Sequence, residues 1–402
     1  MGTLLTRNYK LRTAKQFMEL FSSNSHQVYA VIGNTTAGQS ASTPTESLSN
    51  DISFWDKLAG IKKITSSDIS MVVGHGSGSS LKKIETGISF TPYNHTLDLF
   101  GTPTEFLGYT EGSTYIRVWK CLFNGSGSTV SDIPASSDSS PAGSDDSNTG
   151  IFKQTDGYHW KYLYSFPKTS IFNTNDTGFK WMPVESLQLK PSSTELQKQW
   201  DVQAAAVDGA VNSIIHSSNL TGYTDGYHVR LTGDGTGFKG VMLTSDSKQH
   251  VNITSAGSGY RSVTEVKVAE TEADAELSAS ADSNLTAMIS PISGHGFDVE
   301  REVGAKDLML TSQITDSDLD ADTDIPRYAT VALILDPIIT GSSQDDITTS
   351  GTSIASGTRA SNTSYLQAGL LKYSGQILYI DQRATVIRNS SNTDTIRLVI
   401  QF

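Results

Sequence analysis

Cysteine is nearly missing from this chain of 402 residues, which has only one, Cys121. A single thiol can form neither an intrachain disulfide nor a zinc site built from several thiolates. Cys121 lies within the alternating run Tyr115–Phe123, where we expect a small buried hydrophobe rather than a nucleophile. The sequence therefore predicts no disulfide bond within the chain and no thiol chemistry.

Charge is also scarce, and its balance is acidic. Lys, Arg, Asp and Glu make up 18% of the chain and the net charge is −12, so we expect no broad basic surface for nucleic acid or an anionic membrane. No apolar run approaches the length of a membrane-spanning helix, about 18 residues. The first residues, MGTLLTRNYK, lack the apolar segment of a signal peptide. We expect neither nucleic-acid binding nor membrane insertion.

Most of the chain consists of short runs in which apolar and polar residues alternate, separated by polar loops. They predict a mainly β, or β-rich α+β, fold in which several antiparallel sheets or a sandwich accompany a few short helices. The predicted main domain combines 1–200 with 291–402, and 201–290 form an inserted small β domain. We predict a flexible loop over 124–149, which has almost no apolar side chain to bury, and a second polar loop over 340–364.

Local sequence patterns predict the bounds of some helices and strands. A capping-box pattern predicts that a helix starts at Thr13 and ends near Ser23, and a second short helix is predicted near Phe54. At the other end of the chain, Gln376–Ile387 and Thr395–Phe402 are predicted to pair as a hairpin.

The predicted insertion contains a strand-like run that leads twice to a Gly-Tyr pair. Val211–His216 leads to Gly222-Tyr223, and His250–Thr254 leads to Gly259-Tyr260, a spacing of 37 residues. This spacing lies among the periods of repeat architectures, although two copies are few. We expect a small β-sandwich or barrel with glycine turns.

The most informative stretch is Asp156–Val184, which begins with an aromatic run ending at Pro167. Alternation is a β-strand signal, because successive side chains leave a strand on opposite faces, and proline ends the run because it lacks the ladder N–H. Five aromatic side chains on one face suit a broad contact surface better than a reaction centre. They are Tyr158, Trp160, Tyr162, Tyr164 and Phe166.

Patterns that carry chemistry elsewhere are incomplete in this chain. Gly235–Gly240 has the glycine spacing of a dinucleotide site, but a strand rather than a helix is predicted to follow, which favours a hairpin turn. Gly74–Ser79 lacks the closing Gly-Lys-Ser/Thr of a phosphate-binding loop and the order of a nucleophile elbow. The acidic run Asp316–Asp324 lacks the glycine and the last carboxylate of a calcium loop. We expect a solvated loop there, with an adventitious cation as the alternative.

The eight histidines show no metal-binding spacing; they are His26, His75, His95, His159, His216, His228, His250 and His295. The last of them is predicted to lie in a glycine-flanked turn, Gly294–Gly296. Paired carboxylates of glycosidases converge in space and not in sequence, so no pair is nominated. We therefore predict no catalytic, cofactor-binding or metal-ligating residue, no cofactor and no small-molecule substrate.

Five segments, taken in order, resemble a known family. They are Leu11–Phe17 with Val28–Gly33, Trp119–Leu122, the aromatic run from Asp156 to Val184, Ser374–Arg383, and a terminal strand ending at Phe402. Together they resemble a baseplate wedge subunit of T4-like contractile-tailed bacteriophages, the wedge protein that is present as a dimer. The resemblance covers 1–200 and 290–402.

This resemblance implies a structural virion protein rather than an enzyme. Its place would be the tail baseplate, assembled in the cytoplasm of the host bacterium, where it links neighbouring wedge proteins in assembly and sheath-contraction signalling. The implied partners are a second copy of the chain, a large elongated wedge protein and a trimeric peripheral wedge protein.

The alternative function is a tail-associated carbohydrate-binding adhesin or depolymerase, because aromatic strands also suit sugar binding. The two functions predict different solvent exposure of the aromatic side chains. A sugar platform would leave Tyr158, Trp160 and Tyr162 accessible beside carboxylates, whereas a wedge protein would bury them in its core or in an interface.

Overall fold

A computed structural model of the chain describes residues 7–22, 26–33, 55, 58–75, 81–96, 105–125, 127–134, 150–176, 179–216, 220, 222–245, 248–277, 279–315, 327–337, 375–387 and 393–402. Within these residues, strands make up 50% and helices 15%, and several sheets are antiparallel. The predicted mainly β fold class is confirmed. None of the helices described is long and apolar enough to span a membrane.

The elements follow in chain order. The helices are α1 (Arg7–Ser22), α2 (Thr194–Ala204), α3 (Glu272–Leu277) and α4 (Val299–Val303). The strands are β1 (Val28–Gly33), β2 (Leu58–Ile64), β3 (Ile69–Gly74), β4 (Lys82–Lys83), β5 (Leu107–Glu111), β6 (Tyr115–Asn124), β7 (Ile151–Lys153), β8 (Tyr158–Pro167), β9 (Thr174–Asp176), β10 (Phe179–Val184), β11 (Val211–His216), β12 (His228–Gly233), β13 (Thr236–Ser245), β14 (Lys248–Ser258), β15 (Val263–Ala269), β16 (Leu285–Ile289), β17 (Asp307–Thr315), β18 (Arg327–Leu335), β19 (Gln376–Ile387) and β20 (Thr393–Gln401).

The chain folds into two compact units. The terminal unit comprises Met1–Met71 and Asp307–Phe402, and the central unit comprises Val72–Lys306. The predicted domain boundaries near 200 and 290 lie inside the central unit, and the inserted domain stays a prediction.

In the terminal unit, β1 is an inner strand of a four-stranded sheet of order β19-β18-β1-β2. Its sequence, VYAVIG, is buried throughout, as expected for a short, continuous apolar run with neighbours on both faces. Tyr29 and Val31 belong to one apolar cluster, and Ile32 belongs to another that includes Ile396 of β20. β20 pairs antiparallel with β17 along nine residues.

The predicted start of the first helix is wrong, because α1 begins at Arg7. Thr13 lies inside the helix, where its Oγ1 donates to the carbonyl of Tyr9 at 2.9 Å, a bond open to a mid-helix threonine. Leu11 and Ala14 are both buried. The apolar face of the helix therefore extends N-terminal to the predicted cap, and this packing overrides the capping-box pattern.

Another local prediction is wrong within the terminal unit. The C-terminal hairpin does not form: β19 pairs with β18, and β20 pairs with β17. Alternation fixes which face of a strand is apolar, but it does not choose the partner strand. Of the second short helix predicted near Phe54, the described residue Trp55 is helical and Leu58 begins β2, while the residues between them lie outside the described part of the chain.

The central unit contains sheets of order β4-β5-β6-β8-β7, β11-β16 and β14-β13-β12-β15. β6 and β8 are long strands, as their alternation predicts, and they pair with each other antiparallel. α2 packs against β8. After Gly235 the chain enters a strand, β13, rather than a helix, as predicted. The hairpin turn predicted at Gly235–Gly240 is misplaced, because Thr236–Gly240 already belong to β13 and the connection from β12 is Asp234-Gly235. β11 and β14 begin the two Gly-Tyr repeats but lie in different sheets, so the repeats are not structurally equivalent.

Part of the predicted flexible loop packs against the central unit. Val130 is fully buried; its N–H donates to the carbonyl of Ile88 at 2.9 Å, and its carbonyl accepts from Gly87 at 2.8 Å. Residues 127–134 therefore differ from the exposed loop that we predict, because their backbone is hydrogen-bonded. Residues 135–149 lie outside the described part of the chain, as does the second loop at 340–364.

Candidate functional site

The aromatic strand β8 is the first candidate, since a contact surface is predicted there. No aromatic side chain in it is more than 6% exposed; the five are Tyr158, Trp160, Tyr162, Tyr164 and Phe166. On the opposite face, Lys161 and Leu163 are buried as well. β8 is therefore a core strand covered on both faces, and it offers no accessible platform for sugars.

The rings of β8 are held by aromatic neighbours. Trp160 meets Phe90 edge-on with centroids 5.0 Å apart, and Tyr162 meets Trp119 at 5.4 Å, a geometry that aromatic pairs favour. The Tyr158 hydroxyl donates to a backbone carbonyl at 2.6 Å, and burial raises the pKa of Tyr158 to about 12. These tyrosines stay neutral near pH 7 and stabilise the core.

A second candidate is a group of buried ionisable side chains, Lys120, His295 and Glu302, which we name the closed cluster. All three are at most 3% exposed. Lys120 Nζ donates to Glu302 Oε2, and His295 Nδ1 lies 3.3 Å from both Lys120 Nζ and Glu302 Oε2. Gly296 N–H donates to the other carboxylate oxygen. The buried carboxylate thus has partners on both oxygens, which offsets the cost of its desolvation.

The turn that holds His295 depends on its glycines. Gly294 and Gly296 adopt φ of 97° and 86°, in the left-handed region that favours glycine. A Cβ on Gly294 would lie 2.5 Å from the backbone nitrogen of Val207. The glycine-flanked turn predicted from the sequence is confirmed, and it brings His295 beside Lys120 of β6 and Glu302 of α4.

The closed cluster has a defined charge near neutral pH. Burial raises the pKa of Glu302, but Lys120 and His295 outweigh it and lower the value to about 2. Burial and then Lys120 lower the pKa of His295 to about 4. A carboxylate, an ammonium group and a neutral imidazole are therefore sealed together, with the Lys120 Nζ also 4.4 Å from the centroid of the Tyr93 ring. Such a group stabilises packing but is closed to a substrate.

A third candidate, which we name the histidine cleft, lies where β7, β8, β11 and β14 meet. Its volume is about 310 Å³. Its lining includes Phe123, Lys153, His159, Asn212, His250 and Ser255. An adjoining hollow of about 480 Å³ shares several of these residues and is also lined by Asp156. The cleft is the most accessible concentration of ionisable groups among these candidates.

Imidazole rings surround Phe123 in this cleft. The centroid of the Phe123 ring lies 5.3 Å from those of His159 and His216 and 6.5 Å from that of His250. His159 and His250 are 5.7 Å apart. Burial, then His250 and Lys153, lower the pKa of His159 to about 3. His159 is therefore a neutral imidazole near pH 7.

The sequence gives no signal for this cleft. Its lining histidines come from β8 and β14, and His216 of β11 packs on the Phe123 ring beside them, so only the tertiary fold brings these residues together. Nowhere in the described ranges do three or more His, Cys, Asp or Glu side chains form a group that could hold a metal ion. The cleft is therefore not assigned as a metal site.

The other residues singled out from the sequence lie apart from the cleft. His26, His75 and His95 are near hydrogen-bonding groups of their own, the Asp336 carboxylate, the Thr174 carbonyl and the Ile289 N–H respectively. Cys121 is buried, and burial raises its thiol pKa, as expected for a packing residue. The acidic run Asp316–Asp324 and residues 76–79 lie outside the described part of the chain.

Comparison with known proteins does not assign the chain to a family. No model of a protein family matches the chain, and no curated protein matches it.

Proposed function

We propose that this chain is a structural subunit of the baseplate wedge of a contractile phage tail. One observation carries the proposal: the aromatic run at the centre of the family resemblance forms the buried core strand β8. A scaffold protein needs such a core, whereas a sugar-binding strand needs accessible rings. The sealed geometry of the closed cluster supports a structural role for its charged residues as well.

In this role the chain links neighbouring wedge proteins within the virion. Its partners are a second copy of itself, the elongated wedge protein and the peripheral wedge protein. Large apolar side chains on the surface of the central unit are suited to such contacts, among them Leu189 at 80% exposure and Ile292 at 56%. The chain acts by fixing the positions of neighbouring wedge proteins and has no hydrolase activity.

Co-expression tests the proposal. The chain is produced with the two wedge proteins encoded in the same genome, and complexes are measured by analytical ultracentrifugation. We expect a complex that contains two copies of the chain, and a dimer when the chain is expressed alone. A chain that sediments separately from both partners and binds or cleaves host-surface polysaccharide would contradict the proposal and support the adhesin or depolymerase alternative.

A further inference from the structure

His75 of the central unit lies directly after β3 and contacts both β9 and β10. It is only 4% exposed. Its backbone N–H donates to the carbonyl of Lys180 in β10 at 3.1 Å, and its imidazole Nε2 lies 2.9 Å from the carbonyl oxygen of Thr174 in β9. The main chain of His75 therefore holds β10, and its imidazole holds β9.

The contact with Thr174 fixes the tautomer of this imidazole. A carbonyl oxygen can only accept, so Nε2 carries the proton of the neutral ring and Nδ1 is the bare nitrogen. Nδ1 is buried, and no group in the described part of the chain is hydrogen-bonded to it. The ring of Tyr109 meets the imidazole edge-on, with centroids 5.5 Å apart. A second proton on the imidazole would therefore be a buried donor without an acceptor, which is unfavourable.

The strand that the imidazole holds is short and lies at the edge of its sheet. β9 pairs antiparallel with β10, where Thr174 lies opposite Trp181. The backbone N–H of Trp181 donates to the hydroxyl of Thr174, at 3.1 Å, and the carbonyl of Thr174 accepts from His75. Short segments at an edge open locally at a small cost in free energy. Loss of the imidazole contact should therefore release β9 while the rest of the unit stays folded.

We propose that His75 is a pH-sensitive latch whose protonation releases β9. The imidazolium cannot stay where the neutral ring lies, because it is desolvated there and its second N–H has no acceptor. The ring then turns towards water, and its bond to Thr174 breaks. The latch does not depend on the proposed wedge role, so either proposal can fail without the other.

The surroundings of His75 determine the direction of the pH dependence. Burial is the largest influence and lowers its pKa; the Thr174 carbonyl raises it, Lys180 lowers it and Glu111 of β5 raises it, with a net lowering from 6.5. Tyr109 is neutral near pH 7, because burial raises its pKa. A released imidazole regains its ordinary pKa. The closed latch is therefore fully stable above about pH 6.5 and loses stability as the pH falls towards the lowered value.

Hydrogen exchange followed by mass spectrometry tests the latch in the full chain. Exchange of peptides that contain β9 is compared at about pH 7 and about pH 5.5, after correction for the intrinsic pH dependence of amide exchange. Peptides that contain β17, which has no histidine, are the reference. We expect the open population of β9 to rise about 3-fold or more at the lower pH, and that of β17 to rise less.

Matched variants assign the response to His75. His75→Gln keeps a donor for the Thr174 carbonyl but cannot be protonated, so β9 should lose its pH response. His228→Gln, which changes a half-buried histidine of β12 in the same unit, should keep the wild-type response. An equal response in wild type and His75→Gln, or no response in wild type, would overturn the proposal. If His75→Gln does not fold, the wild type decides: a response confined to β9 supports the latch, and an equal response in β9 and β17 overturns it.

Discussion

Two lysine–histidine groups in the central unit differ in their exposure to solvent. In the closed cluster, Lys120 and His295 share the carboxylate of Glu302, and all three side chains are sealed. In the histidine cleft, Lys153 is exposed and donates to Asn252 Oδ1 at 2.6 Å, and His159 lines a solvent-accessible space. A buried cation needs a counter-charge, whereas an exposed one is stabilised by water. The comparison teaches that the carboxylate of Glu302 is what allows Lys120 to be part of the core.

Removal of the internal carboxylate should have the largest effect. Glu302→Gln leaves Lys120 buried without its counter-charge, so we expect a loss of about 3–5 kcal/mol in the free energy of unfolding, measured by urea denaturation at pH 7. The control is Glu276→Gln, which breaks a pair with Arg230 in which the Glu276 side chain is 53% exposed. That change should cost about 1 kcal/mol or less. Equal losses in both variants would break the comparison.

The next largest effect should be on the pH dependence of the free energy of unfolding. The pKa of His295 falls from 6.5 to about 4 on folding, so stability is complete above 6.5 and is lost as the pH falls towards 4. Glu302, lowered from 4.5 to about 2, adds a second loss below 4.5. His159 contributes to the first window as well, since its pKa is also depressed.

Unfolding free energies of wild type and His295→Gln, measured from pH 8 to pH 4, check this. The variant should show a flatter profile between pH 6.5 and pH 4, because one of the histidines with a depressed pKa is gone. Identical profiles for wild type and variant would show that His295 does not set the slope.

The smallest expected effect comes from adding a carboxylate to the lining of the cleft. Asn212→Asp places an acid of nearly equal size there, which should stabilise the chain by about 0.5–1 kcal/mol at pH 6. Thermal unfolding at pH 6 measures this effect. Asn284→Asp, at an exposed position, is the control and should leave stability unchanged. A lower melting temperature for Asn212→Asp than for wild type would contradict the charge argument.

The sequence predicts strands well where alternation is strong. β6 and β8 lie where the alternating runs place them, because the period of a strand is visible in neighbouring residues. The choice of partner strand does not depend on local sequence alone. The pairing of β20 with β17, and not with β19, joins segments about eighty residues apart and leaves no signature in either segment.

The candidate sites show the same limit. The turn at Gly294–Gly296 is predictable, since it depends on local glycine conformations. The meeting of His295 with Lys120 and Glu302 is not, because three elements distant in sequence contribute. The histidine cleft is a stronger case, because His159 and His250 face each other only after β8 and β14 have folded.

The most direct test measures both histidine groups in one experiment. Histidine-labelled wild type and Glu302→Gln are titrated by NMR, and His→Gln variants assign the His159 and His295 signals. We predict that Glu302→Gln lowers the pKa of His295 further and leaves that of His159 unchanged, since the Glu302 carboxylate favours the charged form of His295 alone. An unchanged pKa for His295, or equal shifts for both residues, would contradict the claim that the internal carboxylate holds the closed cluster together.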